Sequence, residues 1–410
     1  MKKDLDALMH ARGIDALLVS GPGKHNPVMV YLTGGASLTM GHVIKKRGEA
    51  PVLFFAPMER DEAARTGMTS HNYMEYPQFR TALRGNLDDH AVMLQTMLKD
   101  AGVTDGRLAI YGQVDAFRHY GIISRLLEMN PQLRIADSVE DDIVLQAMAT
   151  KDEAEVARIR KMGKITTEVV AATADLLTNS KVKDEVLNKE NGEPLRIGEV
   201  KNQIDVWLME RGSENPEGTI FAIGRDAGVP HSTGTATDVL RLGQTIVFDI
   251  FPCEAGGGYF HDFTRTWCLG YAPDDVVKLY EDVYQVNEQL LAEMEVGKPF
   301  FHYQKRTCEL FEEMGHPTVM SNPGTEEGYV HSLGHGVGLK VHELPMCSYS
   351  PEGKPANVLT PGNVIALEPG LYYPERGMGV RLENTYYINA DGLFENLAPY
   401  PLDLVLPIKG

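Results

Sequence analysis

Short apolar runs alternate with stretches of helical spacing through roughly the first 140 residues. Residues 16–20, 51–56 and 108–111 are short, mainly apolar runs and predict strands, whereas 4–12 and 89–101 predict helices. Strand and helix in alternation point to an α/β unit. The pattern changes at Lys151. Residues 151–177 contain almost no Gly or Pro and open on Asp152, Glu153 and Glu155, carboxylates that favour the positive end of a helix dipole, so one long helix is expected. The boundary is therefore placed near Asp142, giving units 1–142 and 143–410. Residues 178–194 are polar, with Asn179, Asn188, Asn191, Gly192 and Pro194, and are expected to form a surface insertion without chemistry. Beyond Arg211 the chain breaks into β-rich segments punctuated by Gly and Pro, with helices expected near 273–295 and 302–314. The second unit is thus α+β, with most of its sheet late in the sequence.

Length and composition sharpen this picture. A chain of 410 residues exceeds the ~250–300 at which single cores stop growing, so two domains are expected. The formal net charge of -18 opposes a polyanionic partner, and nucleic acid is not expected. No apolar run approaches the ~18 residues of a membrane span, and residues 1–10 mix charged with apolar positions, so neither membrane nor secretion is expected and a cytoplasmic location is. Cys253, Cys268, Cys308 and Cys347 lack CxxC spacing and read as plain thiols, neither disulfides nor a zinc framework.

The chemistry concentrates in the second unit. The segment 245–252 (TIVFDIFP) is apolar apart from its ends and Asp249, and 259–269 (YFHDFTRTWCL) alternates as a strand does, with three glycines between them. A bend centred near Ala255 would set Asp249 and Asp262 directly opposite one another, with Cβ atoms about 4.5–5.5 Å apart. Two carboxylates so close on an apolar ladder repel unless a cation lies between them. The arrangement recurs at 363–373 and 379–388, where Glu368 and Glu383 are equidistant from the turn Pro374-Glu375-Arg376-Gly377. Arg381 shares the face of Glu383 and could balance charge or hold a substrate carboxylate; the bland reading is an arginine solvated on a sheet edge. Thirteen histidines in the whole chain make His331, His335 and His342, all within HSLGHGVGLKVH, a cluster above background. Its interleaved Gly334, Gly336 and Gly338 admit close backbone approach, which suits a crowded metal or substrate site. His231, after Pro230, is either a site residue or an ordinary surface histidine. Four carboxylates and one imidazole form a hard donor set suited to two divalent ions, Mn(II) first, with Fe(II), Co(II) and Zn(II) as alternatives.

These residues and blocks (GYFHDFTRTW, HSLGHGVGLKVHE, ALEPGLY, GVRLEN) resemble the pita-bread metallopeptidase family. That family includes Xaa-Pro dipeptidases, Xaa-Pro aminopeptidases, methionine aminopeptidases and the metal-free creatinase. An amino-terminal α/β domain followed by KDEAEVARIRK resembles the creatinase and prolidase branch. The resemblance implies a creatinase-like α/β domain before an α+β pita-bread catalytic domain. It implies that Asp249 binds one ion, His335 and Glu368 the other, and that Asp262 and Glu383 bridge. By the same likeness Glu368 is the general base, His231 and His342 steady the carbonyl oxygen, and His331 lines the proline side of the pocket. Arg381 fixes Glu383 or the product carboxylate. The implied substrate is a small peptide with proline after the scissile bond, and the implied assembly a homodimer. The GHG and VHE details lean toward dipeptidases. Two departures bear on substrate preference: the stretch between Asp249 and Asp262 is longer than usual, with His261 where a small Ser is common, and the insertion at 178–194 is atypical.

Three other readings compete. An aminopeptidase would prefer longer Xaa-Pro peptides. A small-molecule hydrolase or lyase on the same scaffold would separate by substrate, and a creatinase-like one by its lack of metal. A binding module would keep its partner after Asp262→Ala, where a peptidase would lose metal and activity together.

Overall fold

The computed structural model describes residues 2–347 and 357–409. The chain divides into two compact units, Met1–Met148 with Gly256–Gly258, and Ala149–Ala255 with Tyr259–Gly410. The division at Met148 falls a few residues past the expected point near Asp142, because the short helix Ile143–Met148 buries Ile143, Val144, Ala147 and Met148 and belongs with the first unit.

The first unit is built on a six-stranded sheet. Its order is Thr69–Asn72, Val52–Phe55, Gly41–Lys46, Ala16–Gly21, Gly106–Gly112, Leu133–Ile135. The central strand Ala16–Gly21 is buried along its whole length, which explains its uninterrupted apolar run. It lies antiparallel to Gly41–Lys46 and parallel to Gly106–Gly112, and a parallel pair requires a long crossover connection. The helices Leu5–Arg12 and Leu87–Asp100 lie where the spacing predicted them. Leu94, Met97 and Leu98 of the second pack with Leu18, Ile44, Phe54 and Leu108 of the sheet.

The second unit opens with the long helix Glu153–Thr178. A capping box starts it: Asp152 accepts from the Ala154 and Glu155 amides at 3.0 Å, and Glu155 accepts from the Asp152 amide at 2.8 Å. The stretch 178–194, expected as a surface insertion, holds a small hairpin, Lys181–Lys183 with Val186–Asn188. Its Leu187 is fully buried in the main core, so the segment is anchored from within.

Two sheets carry the candidate site residues. One runs Thr219–Ile223, Thr245–Ile250, Phe263–Leu269, Val405–Leu406; the other runs Glu343–Met346, Gly334–Gly336, Val364–Leu367, Asn384–Ile388, Phe394–Asn396. Strand parity sorts the side chains. Ile246, Phe248, Ile250, Phe263 and Trp267 pack with the helices Glu153–Thr178 and Ile197–Glu210, so Asp249, Thr264 and Thr266 turn to the opposite face. In the ribbon Gly370–Tyr373 with Met378–Arg381, Leu371, Val380 and Leu382 pack with Asp274–Glu293 and Phe300–Glu313. Tyr372, Arg381 and Glu383 therefore face away from those helices. All four cysteines are free and buried. Among the described residues no helix is long and apolar enough to cross a membrane.

Candidate metal centre

The first acidic pair sits on a hairpin whose register differs from the expected one. Asp249 is paired with Thr264 and Ile250 with Phe263, and Cys253 bridges to Phe260. The bend therefore centres between Gly256 and Gly257, which take φ of 94° and 78°, a region an L-residue rarely enters. Asp249 and Asp262 are consequently diagonal neighbours and not directly opposed. The correction is two residues, an even number, so both carboxylates keep the same face. For the second pair, one register continues through both flanking ladders, Gly370↔Arg381 on one side and Leu367↔Asn384 on the other, which sets Glu368 opposite Glu383.

The two hairpins are stitched edge to edge. The Glu383 amide donates to the Thr264 carbonyl at 3.1 Å, and Thr266 Oγ1 exchanges hydrogen bonds with the Arg381 backbone at 2.9 and 3.0 Å. Buried Arg265 donates to the carbonyls of Thr264 and Glu383 at 2.9 and 2.8 Å, tying the same two strands together from the other face. With no carboxylate paired to it among the described residues, burial pushes its guanidinium down to about 10.

Asp249, Asp262, His335, Glu368 and Glu383 all line one cavity of about 350 Å³. His335 Nε2 is 3.5 Å from Asp262 Oδ2 and 3.6 Å from Glu368 Oε1, and single ligand atoms of Asp262, His335 and Glu383 lie within 4.8 Å of one another. His335 Nδ1 lies 3.1 Å from the Gly336 carbonyl; the tautomer that donates there leaves the Nε2 lone pair aimed at the carboxylates. Gly334 and Gly336 admit the close backbone approach expected of them: a Cβ there would lie 2.1 Å from Ala366 O and 2.2 Å from Leu344 O.

Arg381 is the second correction. It is 2% exposed, and Nη2 donates to Asp249 Oδ2 at 2.6 Å, while Nη1 reaches Tyr372 Oη at 2.8 Å and Nε reaches Thr264 Oγ1 at 3.3 Å. Its partner is Asp249 on the other hairpin, whereas Glu383 Oε2 accepts from Thr264 Oγ1 at 2.6 Å. Tyr372, missed in the sequence, links this arginine to His331, whose Nε2 is 2.9 Å from the same phenol oxygen. The tyrosine lies within ALEPGLYY at even spacing from Glu368, the one signal that could have marked it. His331 Nδ1 is 4.0 Å from Glu368. His231 and His342 are exposed residues of the cavity wall, and the His342 ring lies 4.3 Å from that of His335. His261 is fully buried and turned away, close enough to the helix that a Cβ on Gly163 would meet its ring at 2.8 Å. It does not line the cavity.

The donor set fits divalent cations. The four candidate ligand carboxylates face one guanidinium, a formal excess of three negative charges in a largely buried site, before the exposed Glu217 of the same wall is counted. Burial, then Asp249 and Glu368, pushes Asp262 well above the ordinary carboxylate range, and burial, then Asp262, Glu368 and Asp249, does the same to Glu383. Burial raises Glu368 to about 8, against the downward pull of Arg381 and with Asp249 adding to the rise. Asp249 Oδ1 is buried without a hydrogen-bond partner. Each of these is a defect for a protein alone and is relieved by a cation at the centre.

Comparison with known proteins gives the family and the fold. Residues 157–390 match the model of metallopeptidase family M24. The Xaa-Pro dipeptidase of Pyrococcus horikoshii is 27% identical over 396 residues, 95% of this chain and 94% of that protein. Among solved structures, an Xaa-Pro dipeptidase from Bacillus anthracis superposes with a TM-score of 0.75 at 18% identity, covering 98% of this chain and 99% of the other. An X-Pro aminopeptidase from Thermotoga maritima does so with 0.73 at 21%, covering 97% and 99%. At these identities the two structures carry the fold alone, α/β unit then α+β unit, and do not choose between their activities.

Proposed function

The chain belongs to metallopeptidase family M24, and on that premise we propose that it hydrolyses the peptide bond preceding proline in Xaa-Pro dipeptides. The observation that carries the reading is the convergence of Asp249, Asp262, His335, Glu368 and Glu383 on one cavity. These five would hold two divalent ions, and the oxygen-dominated set favours Mn(II) over a thiolate-selecting metal. Such ions, when bound, supply Lewis acidity toward the scissile carbonyl and lower the pKa of a water.

The protein's own groups do the rest. Glu368, the most accessible of the four carboxylates at 17% side-chain exposure, takes the proton of the attacking water and returns it to the proline nitrogen, without which an amide leaves poorly. His231 and His342 on the cavity wall donate toward the carbonyl oxygen as charge develops there. His331, held by Tyr372, borders the proline ring. Arg381 acts through Asp249, whose Oδ2 it fixes so that Oδ1 stays free to ligate. A cavity of about 350 Å³ is at the small end of the ~300–1,000 Å³ of ligand pockets, which favours a dipeptide over a long chain. A homodimer and a cytoplasmic location complete the reading, to be checked by light scattering and by fractionation.

The deciding experiment adds Mn(II) to stripped protein and compares Ala-Pro, Ala-Pro-Ala and Ala-Ala. Ala-Pro should be cleaved fastest and Ala-Ala not at all. Faster release from Ala-Pro-Ala would make the enzyme an aminopeptidase, and no release from either proline peptide would end the proposal.

A further inference from the structure

The first unit contains a second cavity, of about 320 Å³, that the hydrolytic reading does not use. Ser20, His42, Tyr73, His90, Arg118 and His119 bring polar groups to it. Buried polar atoms are almost always paired, yet Ser20 Oγ, His90 Nδ1 and His119 Nε2 are buried with no hydrogen-bond partner. Ser20 is 1% exposed. Three of the ten such atoms found among the described residues belong to this one pocket, which marks it as a site and not a packing flaw.

The arrangement is not a metal site. Among the described residues, the His, Cys, Asp and Glu trio whose ligand atoms lie within 4.8 Å of one another is Asp262, His335 and Glu383, so the three imidazoles here do not converge. The His42 and His90 rings are 6.3 Å apart and nearly perpendicular, and His42 Nδ1 is already 2.6 Å from Tyr73 Oη. Burial keeps His42 and His90 neutral, at about 3 and about 4, so they offer hydrogen bonds and not charge.

Charge comes from Arg118. Its Nη2 donates to the Ala82 carbonyl at 2.9 Å, which holds the guanidinium in place, and no carboxylate pairs with it among the described residues. Asp115, also on the wall, is engaged in capping the helix Ala116–Met129, where its Oδ1 accepts from the Arg118 amide at 2.8 Å. The remaining wall is apolar. Phe79 lies 5.3 Å from Tyr73 in a tilted ring pair, and Met93 and Ile122 also line the cavity. One fixed cation and neutral donors in a wall that is otherwise aromatic, aliphatic and methionine-lined is complementary to an organic carboxylate with an apolar body.

We propose that this cavity binds a small monocarboxylate with an aromatic body, its carboxylate on Arg118 and the unpaired Ser20 and histidine groups, its ring against Phe79 and Met93. The test titrates phenylacetate, with phenylacetamide and Zn(II) as controls, into full-length Mn(II)-loaded enzyme, by calorimetry and by methyl NMR of Met93. Phenylacetate should bind with the Met93 methyl shifting, phenylacetamide at least tenfold more weakly, and Arg118→Gln should lose at least tenfold while Asp262→Asn leaves this binding intact. Should Arg118→Gln not fold, His90→Phe serves instead, since its ring keeps the volume and loses the donors. The proposal is overturned if phenylacetate at 10 mM, on the order of the weakest small-ligand affinities, leaves Met93 unmoved. It is equally overturned if the amide binds as well as the acid, or if Asp262→Asn abolishes the signal and Arg118→Gln does not. Zn(II) shifting Met93 where phenylacetate does not would make the pocket a metal site.

Discussion

Replacing Glu368 by Gln should make the metal-free protein less sensitive to alkaline pH. Without a cation Glu368 is pushed up to about 8 from an ordinary 4.5, chiefly by burial. A carboxyl whose folded pKa is raised binds its proton more tightly in the folded state, so its contribution is fully present below the unfolded value and is lost as pH rises through 8. From pH 6 to pH 9 most of that loss falls in the two units below 8. At ~1.4 kcal/mol per unit this is about 3 kcal/mol of stability that wild type gives up and the glutamine variant does not. Comparing the two proteins is essential, because the buried histidines His331 and His335, both lowered to about 3, act in the opposite direction and cancel only in the difference. Both tryptophans of the chain, Trp207 and Trp267, belong to the second unit, so fluorescence during urea unfolding reports on the part that carries the site. The metal-stripped variant should equal wild type within error near pH 6 after subtraction of a constant offset, then gain about 3 kcal/mol on it by pH 9. Saturating Mn(II) should invert the order, stabilising wild type far more than the variant. Parallel pH profiles for the two stripped proteins would refute the claim that Glu368 is held protonated by the buried acidic cluster.

Four further outcomes follow from particular contacts. Asp262→Asn should weaken metal binding, measured by competition with a chelating dye, by more than the 10–100-fold typical of outer-sphere partners, and a smaller loss would remove Asp262 from the ligand set. Arg381→Met leaves Asp249 buried without its counter-charge, and should destabilise the stripped protein by ~3–5 kcal/mol but the Mn(II)-loaded protein much less. Lys151→Met strands Glu343, which pairs with Lys151 Nζ at 2.9 Å and accepts from the Leu339 and Lys340 amides; a loss of ~3–5 kcal/mol in urea is expected, with KM rising through the loosened His342 segment. Gly163→Ala drives a methyl to 2.8 Å from the His261 ring and from Ala398 Cβ, which should reduce stability by ~1–3 kcal/mol, and His261→Ser should recover part of it in the double variant.

What was legible in the sequence follows from how local each constraint is. The helix Glu153–Thr178 was readable because its capping box and its apolar stripe lie within the segment itself. The expected opposition of Glu368 and Glu383 holds because no bulge shifts the ladders on either side of them, although the Gly and Pro between their strands left the register open in the sequence. The Asp249 hairpin was read two residues off because three consecutive glycines offer more than one bend, and the sequence does not say which pair takes positive φ. The error did not move either carboxylate to the wrong face, since strand parity survives an even shift. Contacts across sheets were not readable at all. Nothing in GVRLEN indicates that Arg381 pairs with a residue 132 positions earlier, because that choice is made when Thr264 and Thr266 dock on Glu383 and Arg381. The histidines of the first unit are hidden for the same reason. His42, His90 and His119 come from a strand and two helices, share no motif, and become neighbours only when Leu87–Asp100 and Ala116–Met129 pack on the sheet. Spacing in a sequence exposes groups that one hairpin or one helix brings together; groups assembled by packing announce themselves only as buried atoms left without partners, and the metal-centre cavity and the first unit's cavity each hold such atoms, Asp249 Oδ1 in one and Ser20 Oγ in the other.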